Sequence, residues 1–234
     1  MKSQSPIILA VDTPDFEIAS AWIQATQGSV AAYKLGLEFF ARFGYEGVAR
    51  LREMTDADLF LDLKLHDIPN TVAGAVRQVV GLTPRFLTVH ASGGRAMIQA
   101  AVAEAPSVEI TAVTILTSLG DADLQEIGFA HGALDSAVKL ACLAKESGAR
   151  AIVCSPLEIA AIRQAVGPEM TIITPGVRPS DEAGGDDQTR IMSPAQAMNA
   201  GATYLVIGRP ITRFWAQGAQ ALASRAQALA DQVK

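Results

Sequence analysis

Residues 59–71 read LFLDLKLHDIPNT, and this stretch contains one complete strand-to-helix connection. Its apolar first half, residues 59–63, has the length and composition of a buried strand, and Pro69 stands where a helix is expected to begin. A strand that leads directly into a helix is the repeating unit of a parallel sheet, whose crossover helices cover the strands. The stretch therefore predicts one βα unit.

The same unit recurs along the chain. Short apolar or β-branched runs alternate with amphipathic stretches of helical spacing, and glycine or proline marks most of the joins. The eight predicted strands are residues 7–11, 31–35, 59–63, 86–90, 110–116, 151–154, 171–174 and 204–207. Eight units in 234 residues fit a closed (β/α)8 barrel better than an open doubly wound sheet. We expect an α/β chain with one barrel domain over residues 1–234.

Composition excludes several classes of protein. The chain has 24 acidic and 19 basic residues, so it lacks the broad basic surface that nucleic-acid binding requires. No stretch approaches the ~18 uncharged apolar residues of a membrane span, and the first apolar run is too short for a signal peptide. Cys142 and Cys154 do not form the framework of a secreted disulfide scaffold. These features predict a soluble cytoplasmic protein that does not bind membranes.

Opposite charges interrupt the third predicted strand. Asp62 and Lys64 are two residues apart, so the strand period places both side chains on one face, while the flanking leucines face the helices. Buried opposite charges are costly unless they satisfy each other. Chemistry in such barrels occurs where strands end, and Asp67 follows just beyond this strand. Lys34 on the second strand can approach the same mouth, which makes an array of two lysines and two aspartates feasible.

A structural salt bridge is the alternative interpretation of this pattern. A second pair, Asp12 at the end of the first strand and Lys34, favours a functional site, because structural pairs need not share one mouth. His66, His90 and His131 have no partner at metal-ligand spacing. We assign none of these histidines and predict no metal ion.

The last two βα loops predict a phosphate site. The eighth strand ends in VIGRP, where Gly208 allows close backbone approach and Arg209 adds a charged donor at an expected helix start. The seventh loop, residues 175–194, is long and polar, and Arg178, Gln188 and Arg190 offer further donors. We expect it to act as a lid, the alternatives being a plain turn after strand eight and an ordinary solvated loop.

The segment DLKLHDIPNT at 62–71 closely resembles the signature of the orotidine 5'-phosphate decarboxylase family, and the similarity extends over nearly the whole chain. The other matching segments, in the family's order, are LAVD at 9–12, YKLG at 33–36, VHASGG at 89–94, ILTS at 115–118, TPGVRP at 174–179, DDQTR at 186–190 and VIGRPI at 206–211. The resemblance implies that the chain converts orotidine 5'-phosphate to uridine 5'-phosphate and CO2, the last step of de novo UMP biosynthesis, without a cofactor.

The resemblance also assigns site residues. It implies that Lys64 is the catalytic lysine, that Asp62 and Asp67 flank it, and that Lys34 completes the charged array. Asp67 would reach the partner's site in a homodimer. The substrate-binding residues it implies are Asp12, Lys34, Asp62, Thr71, Thr117, Ser118, Pro175, Arg178, Gln188, Gly208 and Arg209. Of these, Asp12 and Lys34 would bind the ribose, Thr117 or Ser118 the pyrimidine, and Arg178, Gln188, Gly208 and Arg209 the phosphate side.

Two rival functions remain open at this point. A related sugar-phosphate barrel, such as a keto-gulonate-phosphate decarboxylase or a hexulose-phosphate synthase, shares the DxKxxD strand but resembles enzymes that use Mg²⁺. Lys34 and the DIPNT segment favour the pyrimidine enzyme. A catalytically silent phosphate-binding barrel is the second rival, and the four-charge array argues against it.

Overall fold

The computed structural model describes residues 5–178 and 192–233. In these ranges eight parallel strands form a closed barrel in chain order, and β1 pairs with β8 to complete it. The strands are β1 Ile7–Ala10, β2 Ala32–Gly36, β3 Asp58–Leu65, β4 Phe86–His90, β5 Glu109–Val113, β6 Ala151–Val153, β7 Thr171–Thr174 and β8 Tyr204–Ile207. The predicted (β/α)8 barrel is confirmed, with all eight predicted strands in place.

Helices connect the strands and surround the barrel. In the described residues they are α1 Phe16–Thr26, α2 Leu37–Arg52, α3 Pro69–Val79, α4 Gly94–Glu104, α5 Asp121–Glu126, α6 Ala133–Glu146, α7 Ile159–Val166, α8 Pro194–Asn199, α9 Arg209–Thr212 and α10 Ala219–Asp231. Proline at the first helical position starts α3 and α8, as predicted. None of the described helices is both long and apolar enough to cross a membrane.

The core has two layers. The larger one lies between the sheet and the helices and includes the outward-facing Leu9, Leu61 and Leu87. The smaller one fills the barrel with side chains from alternate positions of the strands, among them Phe60 and Phe86, whose ring centroids are 5.6 Å apart. The inner layer fills the barrel interior, so a ligand site is expected at the carboxyl end, where the βα loops leave the strands.

Five strands differ from their predicted bounds, and two of them, β3 and β5, differ by more than one residue at an end. β5 ends at Val113, not at residue 116. The backbone N–H and the hydroxyl of the next residue, Thr114, both donate to the Val153 carbonyl, each at 3.1 Å. β3 continues to Leu65, and its register with β4 shifts between Leu61 and Leu65. The strand alternation that predicted one face for Asp62 and Lys64 is therefore interrupted where the charges lie.

The first and last elements pack against each other. Ile7 pairs with Leu205 in the sheet, and α10 lies against α1. A hydrogen bond from the Ser29 hydroxyl to the Gln227 side-chain oxygen, 2.9 Å long, joins the segment after α1 to α10. The barrel is thus sealed by residues from opposite ends of the described chain.

An ion cluster occupies the amino end of the barrel. Arg85, just before β4, donates to Asp58 at the start of β3 over 2.9 Å and to Glu109 at the start of β5 over 3.1 Å. The Thr171 hydroxyl at the start of β7 donates to the other Glu109 oxygen over 3.1 Å. The Arg85 guanidinium also stacks on Tyr204, 5.2 Å from the ring centroid. We call Asp58, Arg85, Glu109 and Thr171 the amino-end cluster.

Candidate active site

At the carboxyl end of the barrel, four charged side chains form a continuous chain of alternating sign. Lys34 Nζ lies 3.0 Å from Asp12 Oδ1 and 3.4 Å from Asp62 Oδ2. Lys64 Nζ donates to both oxygens of Asp62 at 2.8 Å. Strands β1, β2 and β3 are neighbours in the sheet, and this adjacency brings the four groups together. We call Asp12, Lys34, Asp62 and Lys64 the carboxyl-end cluster.

Burial and charge oppose each other within this cluster. The side chains of Lys34 and Asp62 are only 12% and 10% exposed, whereas Lys64 is 30% exposed. Burial alone lowers the pKa of Lys34, but the carboxylates of Asp12 and Asp62 outweigh it and raise that pKa. Burial alone raises the pKa of Asp62, but Lys34 and Lys64 outweigh it and lower that pKa. Lys34 and Asp62 are therefore both held in their charged forms.

Thr88 on β4 holds the cluster from the side, and sequence reasoning missed it. Its hydroxyl donates to Asp62 Oδ1 over 2.9 Å and accepts from the Lys64 backbone N–H over 2.8 Å. The side chain is fully buried. The available signal was a single hydroxyl in the apolar strand FLTVH, which lies beside the charged strand.

The carboxyl-end cluster forms one wall of a cavity of about 300 Å³. The cavity also has apolar lining from Phe60, Val113, Ile115, Leu116, Val153 and Val206. Sequence reasoning missed these residues, although the period of two would have found some of them. Phe60 and Val206 each lie two positions before a predicted site residue, on the inward face of the same strand.

The seventh and eighth βα loops contribute the rest of the lining. Pro175, Gly176 and Arg178 follow β7, while Gly208 and Arg209 follow β8. A side chain at position 208 would place its Cβ only 3.3 Å from the Cβ of Ala10, so glycine lets the end of β8 lie close to β1. As predicted, a helix starts directly after Gly208, although α9 has only four residues.

Most of the predicted site residues line this cavity. They are Asp12, Lys34, Asp62, Lys64, Thr117, Pro175, Arg178, Gly208 and Arg209. Thr71 and Ser118 are exposed and do not contribute to the lining. Gln188 and Arg190 lie outside the described residues, as does most of the predicted lid. At the described ends of that loop, the Arg178 backbone N–H donates to the Met192 carbonyl over 3.0 Å.

In the described part of the chain, Asp67 does not contact Lys64. It is exposed in the loop after β3, and its carboxylate accepts from the Ile68 backbone N–H over 2.6 Å. The next side chain, Ile68, is 66% exposed. Within this chain the two aspartates beside the lysines are Asp12 and Asp62. The role of Asp67 in a partner's site stays a prediction.

The unassigned histidines form no metal site in the described structure. His66 and His90 face each other beside Lys64, with ring centroids 5.3 Å apart. Burial, followed by the neighbouring His66 and Lys64, lowers the pKa of His90. In residues 5–178 and 192–233, no three His, Cys, Asp or Glu side chains are grouped to hold a metal ion.

Comparison with known proteins identifies the family. Residues 5–223 match the family described as Orotidine 5'-phosphate decarboxylase / HUMPS. An orotidine 5'-phosphate decarboxylase of Thermobifida fusca is 53% identical over 223 residues, or 95% of each chain. One of Paramagnetospirillum magneticum is 46% identical over 218 residues, or 89% of this chain and 92% of that one.

A solved structure agrees with these sequence matches. The crystal structure of orotidine 5'-phosphate decarboxylase from Lactobacillus acidophilus has a TM-score of 0.85 and 30% sequence identity to this chain. The match covers 99% of this chain and 100% of the other. The family inferred from the sequence motifs is thus confirmed, and the chain belongs to the orotidine 5'-phosphate decarboxylase / HUMPS family.

Proposed function

We propose that this chain decarboxylates orotidine 5'-phosphate to uridine 5'-phosphate and CO2, the last step of de novo UMP biosynthesis. The observation that carries the proposal is the carboxyl-end cluster, which places the Lys64 ammonium group at the wall of the cavity of about 300 Å³. The full-length relatives named orotidine 5'-phosphate decarboxylase support the same reaction. The two free cysteines, of which Cys154 is buried, support a cytoplasmic location.

The proposed reaction requires the protein to stabilise negative charge that develops on the substrate. When the bond between C6 and the carboxylate breaks, CO2 leaves and the electron pair stays on C6 of the pyrimidine. Lys64 provides a positive charge beside that carbon, which stabilises the developing carbanion. Lys64 then donates its proton to C6 as a general acid, and water restores the ammonium group. Because Lys64 accomplishes both steps, the proposal needs no cofactor to accept electrons.

The other members of the cluster position Lys64. Asp62 receives two hydrogen bonds from the Lys64 ammonium group and so fixes its direction. Lys34 balances the charge of Asp62 and keeps it ionised. We expect Asp12 and Lys34 to bind the ribose hydroxyls, because their side chains meet at the cavity wall. Thr117 lines the cavity and is the proposed contact of the pyrimidine, with Ser118 next to it in the chain. Thr71 in α3 is a further substrate contact that the family resemblance implies.

The phosphate group is assigned to the seventh and eighth loops. Arg178, Gly208 and Arg209 line the cavity beside Pro175, and Gln188 is the further donor that the family resemblance implies. Contacts at this remote group can supply the binding energy that orders the loops and removes water from the reacting centre. The phosphate is then part of catalysis as well as of binding.

We further propose that the enzyme is a homodimer in which Asp67 completes the partner's site. The exposure of Asp67 and Ile68 supports this proposal, as does the absence of an Asp67 contact to Lys64 in the described chain. In a two-fold dimer such a contact is reciprocal. Each site would then hold Lys64 from one subunit and Asp67 from the other.

Mixing two inactive variants tests the shared site. If Lys64→Ala and Asp67→Ala homodimers are each nearly inactive, a mixed dimer contains one doubly defective site and one intact site. With random exchange, activity recovers to roughly a quarter of the wild-type value. Native mass spectrometry confirms the exchange. No recovery among dimers that have exchanged would place Asp67 in its own subunit's site and overturn this part of the proposal.

The reaction itself is tested by adding purified protein to orotidylate and following the loss of its absorbance, with uridylate identified as the product. Full activity in excess chelator is expected. Activity that depends on Mg²⁺, or turnover of a sugar phosphate alone, would favour the rival sugar-phosphate barrels. Tight nucleotide binding without turnover would favour a silent phosphate-binding barrel.

A further inference from the structure

The pairing of β3 with β4 is irregular at the catalytic lysine. Leu61 pairs with Leu87 and Leu65 pairs with Val89, so four steps along β3 correspond to two steps along β4. Thr88 alone therefore stands opposite the three residues Asp62, Leu63 and Lys64. Regular ladder hydrogen bonds cannot serve all three of them.

Lys64 has an unusual backbone at this point. Its φ is +48°, in the left-handed region, which is unfavourable for a residue with a Cβ atom. Its N–H group finds a partner in the Thr88 hydroxyl oxygen, 2.8 Å away. The surrounding structure has to maintain such a conformation, and this hydrogen bond is a direct restraint on it.

The same hydroxyl group also restrains Asp62. A backbone N–H can only donate and an ionised carboxylate can only accept, so the directions of both hydrogen bonds are fixed. The Thr88 oxygen accepts from Lys64, and its hydrogen goes to Asp62 Oδ1 over 2.9 Å. Because Lys64 Nζ contacts both oxygens of Asp62, the three residues form a closed ring of hydrogen bonds.

Lys34 provides a contrast within the same cluster. It lies in regular register, opposite Ala10 on β1 and Phe60 on β3, so its backbone is held by the sheet itself. Lys64 lies where that support is interrupted. Of these two lysines, Lys64, which has to meet the reacting carbon, is the one whose backbone N–H donates to a side chain.

We propose that Thr88 is a positioning residue for the decarboxylation, acting through Asp62 and Lys64 without touching the substrate. This inference rests on the proposed function of the site. Threonine suits the task because its hydroxyl donates and accepts at once, and because its branched Cβ restricts χ1. Full burial leaves that hydroxyl protected from water. Removal of the hydroxyl releases both the left-handed backbone of Lys64 and the orientation of the Asp62 carboxylate.

Replacing the hydroxyl with a methyl group tests the proposal. Thr88→Val keeps the shape and is expected to lower kcat by about 10- to 100-fold, because a hydrogen bond to a charged group is lost and Lys64 is misplaced. KM changes by less than about threefold, since the phosphate and ribose contacts remain. Thr88→Ser retains the hydroxyl and is expected to restore most of the turnover. If Thr88 had a purely structural role, Thr88→Val would lower the yield of folded protein, but the folded molecules would keep the wild-type kcat.

The pH profile gives a second readout. Asp62 is faced by Lys34 from β2, Lys64 from β3, and Thr88 and His90 from β4. Loss of the Thr88 hydroxyl removes one group that favours the ionised carboxylate. The acid limb of kcat/KM therefore moves to higher pH in Thr88→Val and stays in place in Thr88→Ser.

Thr171→Val is the matched control. In the wild-type protein the Thr171 hydroxyl, like that of Thr88, donates to a carboxylate that also binds a cation, but this carboxylate lies in the amino-end cluster. We expect kcat and the pH profile to stay at wild-type values in this variant. Equal losses in both valine variants would overturn the proposal, as would wild-type kinetics in Thr88→Val.

A crystal structure of Thr88→Val separates this inference from the proposed function. We expect Lys64 to leave the left-handed region and its contact with Asp62 to lengthen, whatever reaction the wild-type protein catalyses. An unchanged Lys64 would overturn the inference alone. A wild-type protein that does not act on orotidylate would overturn the proposed function, and the geometry of the variant would still decide whether Thr88 positions Lys64.

Discussion

The barrel carries an ion cluster at each end, and the two clusters are built from similar parts. The amino-end cluster has an arginine, two carboxylates and a threonine hydroxyl from β3, β5, β7 and the residue before β4. The carboxyl-end cluster has two lysines, two carboxylates and the nearby hydroxyl of Thr88 from β1 to β4. Partly buried charge, shared carboxylates and a threonine donor occur in both.

Their surroundings differ. The carboxyl-end cluster forms a wall of the 300 Å³ cavity, and Lys64 keeps 30% of its side chain exposed there. In the amino-end cluster the arginine already donates to two carboxylates and stacks on aromatic rings. In a parallel barrel the loops that form a site leave from the carboxyl ends of the strands. Charge composition thus does not distinguish the cluster that is proposed to be catalytic from the other one, whereas the strand end at which each cluster lies does.

Among the variants that compare the two clusters, Lys64→Ala is expected to have the largest effect on turnover. Turnover of orotidylate should fall by at least about 10⁴-fold, because both the positive charge and the proton donor are lost. Binding of uridine 5'-phosphate should remain measurable, since the phosphate and ribose contacts are intact. Steady-state kinetics and calorimetry measure the two effects. Near-normal turnover would remove Lys64 from its proposed role.

Arg209→Ala tests the phosphate side of the same end. We expect kcat/KM for orotidylate to fall by about 100-fold, because a charge-assisted contact to the phosphate is lost. Turnover of the phosphate-free nucleoside should change far less. Parallel assays on the two substrates make the measurement. Equal losses on both would show that Arg209 does not act through the phosphate.

Arg85→Ala is the corresponding change at the amino end. It leaves the carboxylates of Asp58 and Glu109 without their shared cation, and the free energy of unfolding should fall by about 2 kcal/mol. Turnover per folded molecule should stay within about twofold of wild type. Arg77→Ala, which breaks the exposed pair with Glu104, is the control and should cost under about 1 kcal/mol. A large loss of turnover in folded Arg85→Ala would contradict the purely structural role that the comparison assigns to the amino-end cluster.

The smallest expected effect is a pH dependence of stability at the carboxyl end. The folded pKa of Asp62 lies below its ordinary value, so its ionised form stabilises the fold above that ordinary value, near 4. This contribution is lost as pH falls through the folded pKa. The stability gap between wild type and Asp62→Asn should therefore narrow below about pH 4, as measured by urea unfolding. A difference in unfolding free energy between wild type and Asp62→Asn that is constant from pH 3 to pH 7 would contradict the lowered pKa of Asp62.

The sequence was informative about the fold because each barrel strand carries its own signal. Residues 204–207, for instance, are apolar, short and followed by glycine, and β8 has the predicted bounds. Charged residues at strand ends were equally visible, because Asp62 and Lys64 interrupt an apolar run. Both signals are local, and the barrel closes in chain order, so neighbouring strands could be assigned without further information.

Other features depend on relations between strands. The register shift that isolates Thr88 opposite Asp62 and Lys64 arises from the pairing of β3 with β4, which no single strand encodes. The sequence around Arg85 does not indicate that this residue binds two carboxylates, one at the start of β3 and one at the start of β5. The placement of Asp67 beside a lysine requires a second chain, so its role stays a prediction.

The pairing of β1 with β8 also determines when the pocket can exist during synthesis. Gly208 and Arg209 are synthesised roughly 200 residues after Asp12, which takes about 10–40 s at common translation rates. Until then one edge of β1 lacks its partner, and the cavity lacks the eighth loop that is proposed to bind the phosphate. A ligand of the closed cavity therefore cannot stabilise this chain before β8 has been made, and until that point the edge of β1 is open to pairing with another strand.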